Sequence, residues 1–165
     1  MINTTASTEE KTIPIRITTE FGVIDAELYP ERAPITVTNF FANIDAGLYK
    51  EGHFYRALTK PSGPLGALSL IQGGKNMASE PLPPIEHETT IVSGLSHTNG
   101  VLSMARLEPG TASSEFFICS GDNTGLDTLE SDVERAGYAA FGRVTQGMEV
   151  VRQILSKPVG QRDPD

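Results

Sequence analysis

Short strand candidates, separated by loops rich in glycine, proline, serine and asparagine, constrain the fold of this chain more than any other feature. Residues 13–28 predict two strands with a turn at residues 20–22, because Ile24, Ala26 and Leu28 occupy every second position. Further strands are predicted at residues 53–58, 68–72, 101–106, 115–119 and 138–144. Many short strands of this kind are typical of a closed barrel or a sandwich.

Amphipathic helices are predicted only near the two ends of this strand-rich region. In the first, which Pro34 begins and Gly47 ends, apolar residues recur at helical spacing: Val37, Phe40, Phe41 and Ile44. The second is predicted within residues 147–155, with one apolar face: Met148, Val151 and Ile154. Helices so far apart favour a mainly β fold with helical caps over alternating βαβ units.

Length and charge limit the organisation of the chain and its partners. A chain of 165 residues suits one domain, and we expect a flexible polar tail at residues 1–11 and the domain at residues 12–165. The net charge of −8 disfavours nucleic acid as a partner, and no apolar run predicts contact with a membrane. We expect a cytoplasmic protein by default, or a periplasmic one if a signal peptide has been removed.

Conventional nucleophile and metal sites find little support in the sequence. Ser113 and Ser114 lack the Gly-x-Ser-x-Gly pattern of many hydrolases and are more typical of turn and capping positions. Glu86 and Glu88 flank His87 in what we expect to be a solvated polar loop. The histidines lie far apart in the sequence, so no metal or cofactor is predicted: His53, His87 and His97. Cys119 follows an apolar run and is predicted to be a small buried side chain.

Several segments match the motifs of one known family in order and in approximate spacing. They are FYRAL at 54–58, LIQGG at 70–74, NGVLSMAR at 99–106, GTASSEFFI at 110–118 and GYAAFGRVTQGMEVV at 137–151. With these segments the chain resembles the bacterial branch of the cyclophilin family of peptidyl-prolyl cis-trans isomerases, over about Ile13 to Ile154. The resemblance implies a closed eight-stranded antiparallel barrel, capped by two α-helices, with a peptide groove on its outer wall.

The resemblance also implies a function and the residues that carry it. The expected enzyme is a monomeric isomerase of Xaa-Pro bonds that assists the folding of proline-containing polypeptides. Arg56 would be catalytic, Gln72 would hold it in place, and the backbone N–H of Arg106 would bind the carbonyl oxygen before proline. The other implied substrate-binding residues are Leu70, Ala105, Leu107, Glu115, Phe117, Leu126 and Tyr138.

Strand alternation assigns different surroundings to the two adjacent phenylalanines of this pattern. Phe117 is expected to form a wall of the proline pocket, and Phe116 is expected to point into the core. Both would be core residues if both faces of their strand were covered.

Several positions depart from the family's pattern beside the expected site. The segment between Arg56 and Gln72 is longer than usual and predicts a loop around residues 60–64. Ser69 and Gly125 stand where the family has aromatic residues, and Tyr138 stands where it has a groove histidine.

Glu115 and the C-terminal end of the sequence also depart from the family's pattern. Glu115 replaces a glutamine and is expected to pair with Arg56. The sequence ends in KPVGQRDPD, where the family continues into its last strand, so that strand is expected to be missing. These departures leave open a second function, a proline-peptide-binding scaffold or chaperone with little isomerase activity.

Overall fold

One antiparallel sheet organises the protein, whose computed structural model describes residues 10–129 and 136–157. Its strands are β1 (Ile13–Thr19), β2 (Gly22–Leu28), β3 (His53–Lys60), β4 (Leu68–Gly74), β5 (Val101–Met104), β6 (Phe116–Cys119) and β7 (Ala140–Gln146). Their order in the sheet is β1-β2-β7-β5-β6-β4-β3. The helices are α1 (Pro34–Asp45), α2 (Thr90–Ser93) and α3 (Met148–Leu155), with a 3-10 turn at Thr124–Leu126.

The sheet curls, so that its two edge strands, β1 and β3, flank the same opening. Between them lies a cavity of about 610 Å³, and the residues that line it include Ile17 of β1, Phe54 of β3 and Ile154 of α3. The prediction of a mainly antiparallel β fold is confirmed. Within the described residues the sheet has seven strands and stays open between β1 and β3, where an eighth strand would be needed to close a barrel.

Strand alternation gives the sheet an inner and an outer apolar cluster. On β4 and β6, Ile71 and Phe116 face the inner cluster, while Leu70 and Phe117 face the outer one. The inner cluster also contains residues of the other strands and of α1 and α3: Ile24, Leu28, Val37, Phe40, Leu102, Phe141 and Val151. The outer cluster is smaller, and the candidate site is built on it.

Both predicted helices form, and a short third helix, α2, was not predicted. Helix α1 begins at Pro34 and ends shortly before Gly47, whose φ of 72° suits the turn after a helix. Of its predicted apolar face, Val37 and Phe40 are buried, whereas Ile44 lies at the opening between β1 and β3. No helix in the described ranges is long and apolar enough to span a bilayer.

Glu88 corrects the expectation that residues 86–88 form a solvated loop. Its side chain is buried, and its carboxylate accepts hydrogen bonds from the backbone N–H groups of Ile35 (3.2 Å) and Thr36 (2.7 Å). The Thr36 hydroxyl donates a further bond of 2.6 Å to the same carboxylate. Because the first N–H groups of a helix lack partners within it, Glu88 caps α1 from 52 residues away in sequence.

Some strand ends differ from the prediction by one or two residues, because other partners satisfy the backbone there. Predicted strand 138–144 begins only at Ala140, since the Tyr138 N–H donates to the Leu126 carbonyl at 3.0 Å. Predicted strand 101–106 ends at Met104, and beyond it the Leu107 N–H donates to the Thr111 hydroxyl at 3.0 Å. At these hydrogen bonds the strands end and the loops around the candidate site begin.

Candidate active site

Four side chains form a row across the outer face of the sheet, each on a neighbouring strand. Arg56 of β3 pairs with Gln72 of β4, and Gln72 pairs in turn with Phe117 of β6. Phe117 pairs with Ser103 of β5. Residues paired directly across antiparallel strands lie side by side on one face, so this row brings Arg56, Gln72 and Phe117 together.

A β-bulge at Tyr55 shapes the Arg56 end of the row. Phe54 pairs with Gly73 and Arg56 pairs with Gln72, so β3 has one more residue than β4 at this point. Phe54 packs against Phe116 in the inner cluster, with ring centroids 6.0 Å apart. The bulge therefore lets both Tyr55 and Arg56 reach Gln72.

Gln72 joins these two neighbours through the two ends of its amide. Its Oε1 accepts a hydrogen bond of 3.3 Å from Arg56 Nη1, and its Nε2 donates one of 3.1 Å to the Tyr55 hydroxyl. The Tyr55 hydroxyl donates in turn to Glu115 Oε2 at 3.1 Å. Glu115 is thus connected to Arg56 through two intermediate side chains.

Glu115 lies against the backbone of β4. Its carboxylate occupies the space that a side chain on Gly74 would need, and an ideal Cβ at Gly74 would overlap it. Its backbone carbonyl accepts from the Ala105 N–H at 2.9 Å, which ties it to the end of β5. Gly74 therefore leaves room for the acidic side chain beside the Arg56 row.

Phe117 forms the covered centre of the outer cluster and is only 3% exposed. Its ring stacks on His97, with centroids 5.9 Å apart and an interplanar angle of 18°, and meets Tyr138 edge-on at 5.6 Å. Leu70 and Leu126 are buried in the same cluster. Phe116 and Phe117 are both core residues, on opposite faces, because loops and the side chains of His97 and Tyr138 cover the outer face.

A hydrogen-bonded group of three polar side chains, of which two are completely buried, lies beside Phe117. His97 Nδ1 lies 2.6 Å from Asp127 Oδ1, and His97 Nε2 lies 2.7 Å from the Ser103 hydroxyl. Burial lowers the pKa of His97, against the opposing effect of its bond to Asp127. Neutral His97 therefore donates from Nδ1 and accepts at Nε2.

This trio has the residue types of a serine hydrolase triad but cannot act as one. Ser103 and His97 are both completely buried, so neither reaches a substrate. Cys119 is buried as predicted, and burial raises the pKa of its thiol to about 12, which removes it as a nucleophile. Among the described residues, no three His, Cys, Asp or Glu side chains are grouped to hold a metal.

Arg106 lies next to the outer cluster, over the ring of Tyr138. Its guanidinium carbon is 4.5 Å from the ring centroid, and its Nε donates to the Gly137 carbonyl at 3.0 Å. The neighbouring N–H groups of Ala105 and Leu107 have acceptors, whereas no described residue accepts from the Arg106 N–H.

The remaining substrate-binding candidates divide by exposure. Ala105 and Tyr138 are half-buried and pack against the outer cluster. Leu107 is 88% exposed and lies outside that cluster. The candidates thus include buried residues of the cluster, half-buried residues at its surface and one exposed side chain.

The extra residues between Arg56 and Gln72 lengthen the β3–β4 hairpin, whose tip lies on the loop before Leu126. Asn123 is buried and holds the start of β4, accepting from the Ser69 N–H at 2.7 Å and donating to the Ser69 carbonyl at 3.0 Å. The Leu65 backbone covers Gly125, where a Cβ would overlap the Leu65 carbonyl. Because Gly125 has no side chain, the hairpin tip can occupy the space beside it.

The sequence did not identify four residues of this arrangement: Tyr55, His97, Ser103 and Asp127. Ser103 carried one usable signal, because two-residue alternation along β5 places it on the same face as Val101. His97 and Asp127 are 30 residues apart in sequence, and no spacing rule joins them. Tyr55 reaches the site only through the bulge.

Comparison with solved structures shows the same fold elsewhere. The structure matches a cyclophilin-type peptidyl-prolyl cis-trans isomerase of Cryptosporidium parvum with a TM-score of 0.69 and 24% identity, over 90% of this chain and 86% of the other. A structure of that cyclophilin in the presence of the dipeptide Ala-Pro matches with a TM-score of 0.68.

Sequence comparison shows the family. The profile described as cyclophilin type peptidyl-prolyl cis-trans isomerase/CLD matches residues 14–165. A peptidyl-prolyl cis-trans isomerase of Acinetobacter baylyi is 36% identical over 149 residues, which are 87% of this chain and 72% of the relative. Isomerase B of Escherichia coli is 35% identical over 99 residues, 56% of this chain and 58% of the relative.

The fold and the sequence together define an enzyme class, the peptidyl-prolyl cis-trans isomerases. Within that class, the chain belongs to the cyclophilin-type family.

Proposed function

We propose that this chain accelerates rotation about Xaa-Pro bonds with Arg56 as its catalytic residue and Gln72 as the residue that anchors it. The observation that carries the proposal is the row of Arg56, Gln72 and Phe117 on adjacent strands, with Arg56 exposed at one end. The row combines an exposed cation, its hydrogen-bonded anchor and a buried aromatic ring that packs in the outer cluster.

The chemistry needs no nucleophile, because no bond is cleaved. The barrier of about 18–20 kcal/mol is amide resonance, which is lost when the bond twists. Twisting localises a lone pair on the prolyl nitrogen, and a guanidinium that donates to this nitrogen stabilises the twisted state more than either planar state. Arg56 is always charged and has several donors, so it can hold Gln72 and still bind the prolyl nitrogen. A thousandfold acceleration needs only about 4 kcal/mol.

The Arg106 N–H supplies a second contact in this proposal. It would donate to the carbonyl oxygen of the residue before proline and so fix that residue while the bond turns. Its support is that no described residue accepts from this N–H, although both neighbouring N–H groups have acceptors. The half-buried side chains of Tyr138 and Ala105 would provide the apolar surface for the proline ring, with the buried ring of Phe117 packed beneath them.

The proposed partners are proline-containing segments of other polypeptides. The net charge of −8 disfavours nucleic acid and self-association, so we propose that the protein acts as a monomer. Its compartment would be the cytoplasm by default, or the periplasm if a signal peptide has been removed.

A protease-coupled assay on a short Xaa-Pro peptide tests the proposal. The wild-type chain at micromolar concentration should accelerate isomerisation, and Arg56→Ala should lower kcat/KM by about 100-fold or more. Arg16→Ala is the matched control, because Arg16 is an exposed strand arginine that pairs with Asp25 on β2 instead. An uncatalysed rate with the wild-type chain, or equal rates for Arg56→Ala and Arg16→Ala, would overturn the proposal.

A further inference from the structure

We propose that Tyr55 and Glu115 are positioning residues that fix the catalytic guanidinium through a one-directional chain of hydrogen bonds. The chain runs from Arg56 to Gln72, from Gln72 to Tyr55 and from Tyr55 to Glu115, with donor–acceptor distances of 3.3, 3.1 and 3.1 Å. This inference rests on the proposed role of Arg56 in the isomerase reaction.

The acidic end of the chain sets the direction of every bond in it. An ionised carboxylate has no proton to donate, so the Tyr55 hydroxyl must donate to Glu115. The Tyr55 oxygen therefore accepts from Gln72 Nε2, which turns Gln72 Oε1 towards Arg56. The opposite amide orientation would place the Gln72 NH₂ group against a guanidinium that can only donate.

The bulge in β3 makes the chain possible. Because β3 has an extra residue at Tyr55, consecutive side chains reach the same glutamine, one at each end of its amide. Gly74 leaves the space that the Glu115 carboxylate occupies. A regular strand at Tyr55, or a side chain at position 74, would separate the acidic residue from the row.

The chain of hydrogen bonds acts on the Arg56 guanidinium in two ways. It gives Gln72 a single orientation, so Arg56 Nη1 is held while the exposed guanidinium keeps further N–H donors for substrate. It also strengthens Gln72 Oε1 as an acceptor, because hydrogen bonds in series polarise one another. Both effects stabilise the twisted bond more than the planar substrate, so kcat should fall more than KM rises when the chain is broken.

The test measures kcat and KM for Tyr55→Phe and Glu115→Gln, each made in the wild-type protein and in the Arg56→Ala variant. With Arg56 present, each variant should lower kcat by about 3- to 10-fold, as expected for one lost hydrogen bond. In Arg56→Ala neither change should lower the residual rate further, because both act through Arg56. Tyr49→Phe is the control, since its hydroxyl donates to the Ser114 carbonyl at 2.9 Å, outside the chain.

Three results would overturn the inference. The first is the same loss in both backgrounds, which would show a general structural effect. The second is a loss no greater than that of Tyr49→Phe. The third is a rise in kcat/KM for Glu115→Gln, which would mean that Glu115 competes with substrate for Arg56. Full activity of Arg56→Ala is a separate outcome, which overturns the proposed function and this inference with it.

Discussion

The backbone of Leu65 occupies the space that a side chain on Gly125 would need. Leu65 belongs to the tip of the long β3–β4 hairpin, and Gly125 belongs to the 3-10 turn that leads to the outer cluster. The longer hairpin therefore occupies the volume that is left empty because Gly125 has no side chain. The tip also brings the half-exposed Leu65 side chain to the loop beside the candidate site.

Gly125→Ala should destabilise the protein, because the added methyl group overlaps backbone atoms that cannot rotate away. We expect a loss of about 1–3 kcal/mol in the free energy of unfolding, measured by urea denaturation. Gly63→Ala in the same hairpin is the control, since its added Cβ would have no atom nearer than 3.9 Å. Equal stability of the two variants would show that the hairpin tip does not rest on Gly125.

Phe117→Ala should lower stability, not only affinity for peptides, because the ring is buried between His97 and Tyr138. The expected loss is about 3–5 kcal/mol in the free energy of unfolding. Leu107→Ala should change it by less than about 0.5 kcal/mol, since that side chain is exposed. If Phe117→Ala unfolds at the wild-type urea concentration, the ring is a pocket wall and not part of the core.

His97 should make stability depend on pH. Its pKa in the folded protein is lowered by burial, so the unfolded chain takes up a proton more readily. The stabilisation is complete above the ordinary pKa of about 6.5 and is lost as pH falls through the lower pKa of the folded state. Between pH 7.5 and pH 5, the Tm of wild type should therefore fall more than that of His97→Gln.

The control for this pH effect is His53→Gln, because His53 is exposed on β3. Its Tm should follow the wild-type pH dependence. A His97→Gln curve that runs parallel to wild type would show that His97 does not resist protonation.

Glu88→Ala should destabilise the start of α1, because it leaves the N–H groups of Ile35 and Thr36 without their acceptor. The expected loss is about 1–3 kcal/mol in the free energy of unfolding. Glu86→Ala removes an exposed carboxylate two residues away and should have little effect. Equal unfolding curves for the two variants would refute the capping role of Glu88.

Local pattern predicted the elements of this fold, and contacts between distant residues lay beyond it. Two-residue and helical periodicity located β2 and α1, because each needs one apolar face. The sequence motifs located Arg56, Gln72 and Phe117. The cap from Glu88 to Thr36 and the bond from His97 to Asp127 join residues 52 and 30 positions apart. Such pairs follow from the closed packing of loops over the sheet, which periodicity does not encode.

Burial of Phe117 and the reach of Tyr55 show the same limit on a smaller scale. Alternation correctly separated Phe116 from Phe117, but whether the outer face is covered depends on His97 and Tyr138. A bulge changes the alternation at Tyr55, and one extra residue in a strand leaves no sequence signal.

The kcat/KM of Arg56→Lys on a neutral Xaa-Pro peptide tests the central claim most directly. Lysine keeps the positive charge but lacks the planar fork that can hold Gln72 and bind the prolyl nitrogen at the same time. We expect a fall of about tenfold or more, with an unchanged Tm, because one charged hydrogen bond is lost. Wild-type kcat/KM in Arg56→Lys would contradict it, since charge alone would then be sufficient.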